Sequence, residues 1–173
     1  MLYSGLNILH RSVVRRQTGV AARITRTLSR LERMVEMNED DFLQLHRAIK
    51  TGQIQLVQTT VCSAVEANAT NRFGWTPLML AALEGNVKIG QLLVERGADI
   101  NLTNNFGENA LSCAALTGHH RFVQFLVSQG TDSDVRPHGH PLDVWIKQYS
   151  GLTDTQIAAI LETIWPPESE PAG

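Results

Sequence analysis

The sequence predicts an all-α solenoid of about four stacked helix-turn-helix units, regular in the middle and degenerate at both ends. Three observations carry that prediction. The segment from Asn71 to Asn101 recurs 33 residues later with no gap and 13 identities over 31 positions, and self-similarity at a period of roughly 20–50 residues marks a repeat architecture. Within each copy, apolar residues fall at helical spacing between a capping residue and a glycine. The chain has 173 residues, 43% hydrophobic and 18% charged, which suits one domain or one short array with a real core and argues against a multidomain enzyme.

The first unit, 39–70, is read by stepping back 33 from Leu78, Ala81 and Gly85 to Leu45, Ala48 and Gly52. Its best-preserved piece is Leu45-His46-Arg47-Ala48, followed by a second helix through Ile54, Leu56 and Val57. In the second unit, 71–103, Thr76 reads as an N-cap and Pro77 as the first helical residue, where a missing N–H costs nothing. Leu78, Ala81 and Ala82 form an apolar stripe with alanines small enough for close helix approach. Gly85 ends this helix. A second begins near Val87 and turns Ile89, Leu92 and Leu93 inward until Gly97, a residue suited to a left-handed helix end. The third unit, 104–134, repeats the pattern in Leu111, Ala114, Ala115, Gly118, Leu126 and Gly130. In the fourth, 135–165, His140-Pro141-Leu142 aligns with Thr76-Pro77-Leu78 after a two-residue deletion. A closing helix from Asp154 to Ile164, capped by Thr153, presents Ile157, Ala158, Ile160, Leu161 and Ile164. Terminal units are expected to be irregular because they seal the stack. Residues 166–173 read as a disordered acidic tail.

Gly74-Trp75-Thr76-Pro77-Leu78-Met79-Leu80-Ala81-Ala82, then Gly85, Leu92-Leu93 and Gly97-Ala98-Asp99-Ile100-Asn101, resemble the ankyrin repeat almost position for position. Met79 stands where the family usually has histidine, and in the next copy Asn109, Ala110 and Ser112 replace Thr, Pro and His. The resemblance implies recognition of another protein through turn tips and first helices. Carried over by position, the contact residues are Arg72, Phe73, Trp75, Leu83 and Glu84, then Asn105, Phe106, Glu108, Leu116 and Thr117, with Lys50 and Lys147 in the outer units. Phe73, Trp75, Leu83, Phe106 and Leu116 are expected to form an apolar strip. Without the family's histidines, stacking is expected to lean more on apolar packing.

The expected function is therefore a non-catalytic protein-binding module, a monomeric array within a hetero-complex. A regulatory or inhibitory subunit masking an enzyme's active site is an alternative, and a small metal-dependent hydrolase built on the histidine loop is a remote one. No G-x-S-x-G, H-E-x-x-H or phosphate-binding glycine loop occurs. His119, His120, His138 and His140 have no acidic ligand at tight spacing and are read as surface residues. No catalytic residue, metal or cofactor is assigned, and no specific nucleic acid is expected as partner.

The formal charge of −2 hides an asymmetry: residues 1–33 carry seven arginines and one acid, net +6, and residues 34–173 carry eight bases and sixteen acids, net −8. The acidic part is expected to favour basic or neutral partners. Residues 1–36 are assigned to a leader. Ile24, Leu28, Leu31 and Val35 beside Arg23, Arg26, Arg30 and Arg33 suit a basic amphipathic helix. A mitochondrial transit peptide, a segment that meets a membrane surface or nucleic acid, and an extension preceding a start at Met34 or Met37 all stay open. The expected location is cytoplasmic, or mitochondrial if 1–33 is a transit peptide. Cys62 and Cys113 are read as ordinary buried thiols in a reducing compartment. The sequons at Asn68 and Asn101 are read as chance matches, and no apolar run approaches the ~20 residues of a membrane span.

Overall fold

Helix follows helix from residue 39 to residue 167, the part of the chain that the computed structural model describes, and no strand occurs among these residues. The elements are α1 (Glu39–Lys50), α2 (Ile54–Thr60), α3 (Ala64–Ala67), α4 (Pro77–Leu83), α5 (Val87–Glu95), α6 (Ala110–Leu116), α7 (His120–Ser128), a 3-10 turn (Pro137–Gly139), α8 (Leu142–Tyr149) and α9 (Asp154–Ile164). Residues 1–38, which include the whole of the assigned leader, and 168–173, the end of the tail, lie outside the described residues.

Local chemistry sets the starts. Thr76 Oγ1 accepts the Met79 N–H at 3.2 Å, and Pro77 opens α4. Asn109 and Ser112 make a reciprocal capping box at the start of α6, with bonds of 2.9 and 3.0 Å. Thr153 and Gln156 do the same for α9, whose bounds match those expected. At α8 the expectation slips by one residue. Pro141 is the N-cap rather than the first helical residue, and no side chain caps the helix. The short helix α3 has no counterpart in the sequence reading; the Glu66 carboxylate holds its start by accepting the N–H groups of Cys62 and Ser63 at 2.9 and 2.7 Å.

The helices α4 and α6 have seven residues each, well below the ~12–15 that an isolated helix needs in water. Packing must hold them. The first helices α1, α4, α6 and α8 stack in one row, and α2, α5, α7 and α9 stack in a second. Ala81, Ala82, Ala114 and Ala115 are buried where the rows meet, with Leu78, Leu111, Leu93, Phe122, Leu126 and Ile146 around them. Gly90 lets α7 come close, since a Cβ there would lie 2.6 Å from the Phe122 ring.

Stacking is not left to apolar contact. Asn68 Oδ1 accepts the Asp99 N–H at 2.7 Å, and one period later Asn101 Oδ1 accepts the Asp132 N–H at 2.8 Å. Arg96 Nη1 donates to the carbonyls of Gln58, at 3.1 Å, and Val61 in the preceding unit, while within the third unit Asn109 Nδ2 donates to the Asp132 carbonyl at 3.2 Å. A side chain that bonds a neighbouring unit's backbone fixes register as well as distance. His119, read as a surface residue, is half-buried and its Nε2 lies 2.9 Å from the Leu83 carbonyl. Its ring is another tie between units.

Candidate functional site

The turn tips are built by a repeated asparagine. Asn71 Oδ1 accepts the N–H groups of Phe73 and Trp75 at 2.9 and 3.1 Å, and Asn104 Oδ1 accepts those of Phe106 and Glu108 at 2.9 and 3.0 Å. Each tip is thereby closed by one side chain satisfying two backbone donors. The tips are also stitched to one another. The Asn105 N–H donates to the Phe73 carbonyl at 3.1 Å, and the His138 N–H donates to the Phe106 carbonyl at 2.7 Å. Asn105 Nδ2 adds a bond of 3.2 Å to the Arg72 carbonyl. Sequence reasoning quoted Asn71 and Asn104 as the start of the repeat but gave them no role; their identical place in both copies was the available signal.

This scaffold holds Phe73 and Phe106 outward, 44% and 42% exposed, one period apart on the same edge. The Arg72 guanidinium lies 4.7 Å from the centre of the Phe73 ring, within cation–π range. Phe106 stacks on His138, with ring centres 5.3 Å apart. His138 in turn stacks over the buried Trp145 at 6.1 Å, and Trp145 meets Tyr149 at 6.2 Å. An aromatic run therefore passes from the third tip to α8. His138 takes its place in it with a left-handed backbone, φ 51°, so it is more than the loosely placed surface residue expected from sequence.

The remaining expected contact residues divide. Arg72, Glu84, Asn105 and Thr117 are exposed, with Thr117 Oγ1 turned back onto the Cys113 carbonyl at 2.9 Å. Trp75, Leu83 and Leu116 are half-buried and pack against the core, so the expected five-residue strip narrows to the two phenylalanines. Glu108 is a correction. It is 7% exposed and serves the tip from inside, accepting Asn104 Nδ2 at 2.6 Å and lying 3.6 Å from His138 Nε2. A buried carboxylate needs such partners.

The cysteines differ from one another. Cys62 is exposed, contrary to the expectation, with Sγ 3.1 Å from the Thr59 carbonyl, whereas Cys113 is buried. Burial, and after it the negative charge of Glu108, pushes the Cys113 thiol well above its ordinary value of 9.0. Below that value the thiol is protonated in both states. Above it the unfolded chain releases a proton that the folded protein keeps, so stability falls as pH rises past about 9. Urea midpoints taken from neutral to alkaline pH should fall less steeply for Cys113→Ala than for the parent chain. Equal slopes would show that the thiol contributes nothing.

Among the described residues no group of three or more His, Cys, Asp or Glu side chains could hold a metal ion, and no helix is long and apolar enough to cross a membrane. What the tips expose is two aromatic rings with their cationic and imidazole neighbours on stitched turns.

No curated protein matches the chain. A family model for ankyrin repeats, in three copies, matches residues 45–137, the stretch from Leu45 in α1 to the 3-10 turn. Such repeats are generally protein–protein interaction modules. The helix pairs in two rows, the 33-residue period and this match over more than half its length agree: the chain belongs to the ankyrin repeat family.

Proposed function

We propose that the protein binds another protein, without acting on it chemically, through the edge formed by its turn tips and the exposed ends of its first helices. In this reading four units, 39–70, 71–103, 104–134 and 135–165, act as one scaffold. Arg72, Phe73, Asn105 and Phe106 make the central contacts, Glu84 and Thr117 lie at the rim, and Trp75, Leu83 and Leu116 back the surface from below. The observation that carries it is the outward placement of Phe73 and Phe106 one period apart. Aromatic residues beside arginine are typical of binding hot spots. Because the tips are tied by hydrogen bonds, little ordering entropy is lost on docking.

The test is affinity isolation from the native source with the full chain, comparing the parent with a Phe73→Ser/Phe106→Ser double variant. Both rings are exposed, so the variant should keep its unfolding midpoint. Captured partner should fall by about tenfold or more, the loss of at least one hot-spot side chain. An unchanged set of partners, recovered in unchanged amount, overturns the reading.

A further inference from the structure

The tips of the second, third and fourth units differ in charge from the edge of the first unit, where α1 opens with the exposed acids Glu39, Asp40 and Asp41. Residues 39–167 hold eight bases and thirteen acids, net −5. In the three tip segments, 71–77, 104–110 and 136–142, the exposed formal charges are Arg72 and Arg136, both positive. The one acid there, Glu108, is buried under Asn104. His138 and His140 are exposed beside them and offer N–H donors in either protonation state. Asp99 and Asp132, in the loops leading to the tips, turn back to accept the N–H groups of Asn101 and Asp134 at 2.9 Å each. Asp134 is exposed two residues before Arg136, and with Asp143, Leu142 and Trp165 it lines a cavity.

From this we infer that the tip edge docks an extended acidic segment of a partner protein, with carboxylates on Arg72 and Arg136 and an apolar side chain against Phe73 and Phe106. The inference rests on the protein-binding reading above and adds the partner's chemistry. It reverses the preference for basic partners that net charge suggests. Screening bears on the two: at physiological salt the Debye length is about 8 Å, so carboxylates farther than that from the tips are largely hidden from a ligand in contact with them, and Asp134, inside that distance, opposes the contact at Arg136.

Geometry sets the register of the segment. Packed helices lie about 8–10 Å apart, and an extended chain rises about 3.3 Å per residue, so the ligand advances about three residues per unit. Arg72 and Arg136 belong to tips two units apart, which calls for two acids about six residues apart with an apolar residue between them. A nucleic acid fits less well. Phosphate binding at physiological salt draws on many cationic contacts, and this edge presents two arginines on an otherwise acidic molecule.

The experiment selects dodecapeptides from a random phage library on the immobilised full chain at about physiological salt. Synthetic copies of the selected peptides are then titrated against the parent, Arg72→Glu/Arg136→Glu and Phe73→Ser/Phe106→Ser, with unfolding midpoints confirming that the variants fold. The expected peptides carry Asp or Glu about six residues apart around an apolar residue, and bind the arginine variant at least tenfold more weakly. Selected peptides without an acidic bias, or acidic ones indifferent to the arginine variant, overturn the inference. If those peptides still need Phe73 and Phe106, the protein-binding reading survives alone. If they are indifferent to both variants, both fall, and a screen that selects nothing overturns the inference. A labelled 12-mer oligouridylate that binds the parent and not the arginine variant overturns the inference in favour of nucleic acid.

Discussion

Phe122→Ala is expected to lower the free energy of unfolding by about 3–5 kcal/mol, the range for emptying a fully buried aromatic site. Phe122 is the largest of the completely buried side chains. It sits on α7 in the middle of the second row, edge-on to Phe125 with ring centres 5.7 Å apart, and against Gly90 of α5. At Gly90 the neighbour from α5 is backbone with no side chain to swing inward, which limits how far the space can refill. The loss falls where one unit meets the next, and in a linear array the interfaces carry the stability. Urea denaturation followed by circular dichroism reads the effect. A loss below about 1 kcal/mol would mean that the two rows are not packed as described.

The second large effect is at a tip. Gly107→Ala is expected to cost about 2–4 kcal/mol, the sum of a left-handed backbone that side chains disfavour and a direct clash. Gly107 has φ +75°, and an added Cβ would lie 2.7 Å from the Arg136 carbonyl oxygen. That atom is backbone, so no rotamer change relieves the contact. Gly130 is the internal control: its φ is +78°, and nothing lies within 4 Å of a Cβ built there. Gly130→Ala should cost about 1–2 kcal/mol, the backbone part alone. The difference between the two variants measures how tightly neighbouring tips touch. Equal losses would mean that the tips are not in contact.

Much of the fold was legible because it depends on rules of short range. A cap, a first-turn proline and a helix-ending glycine act within one unit, so Thr76, Pro77 and Gly85 could be placed from neighbours alone. The closing helix was equally readable through its cap Thr153. What sequence left out depends on the next unit. Glu108 looks like a surface acid until Asn104 and His138 are set around it, and Trp75, at the same place one period earlier, is half-covered by the core behind it. His138 was discounted for lack of metal-ligand spacing, a sound test for the wrong role. Its place between Phe106 and Trp145 comes from a stitch between tips that no local pattern reveals. The exposure of Cys62 turns on α3, too short at four residues to announce itself by periodicity.

The asparagine ties between units bear on where this chain can be made. The asparagines of both sequons, Asn68 and Asn101, are tie residues. Asn68 Nδ2 gives its two hydrogens to the carbonyls of Ala64 and Gly97 at 2.9 and 2.8 Å. A sugar attached to that nitrogen replaces one of them and sets a bulky group at the joint between the first two units. Passage through an oligosaccharide-transferring compartment, before the chain has stacked, would therefore put a wedge where the fold needs a clasp.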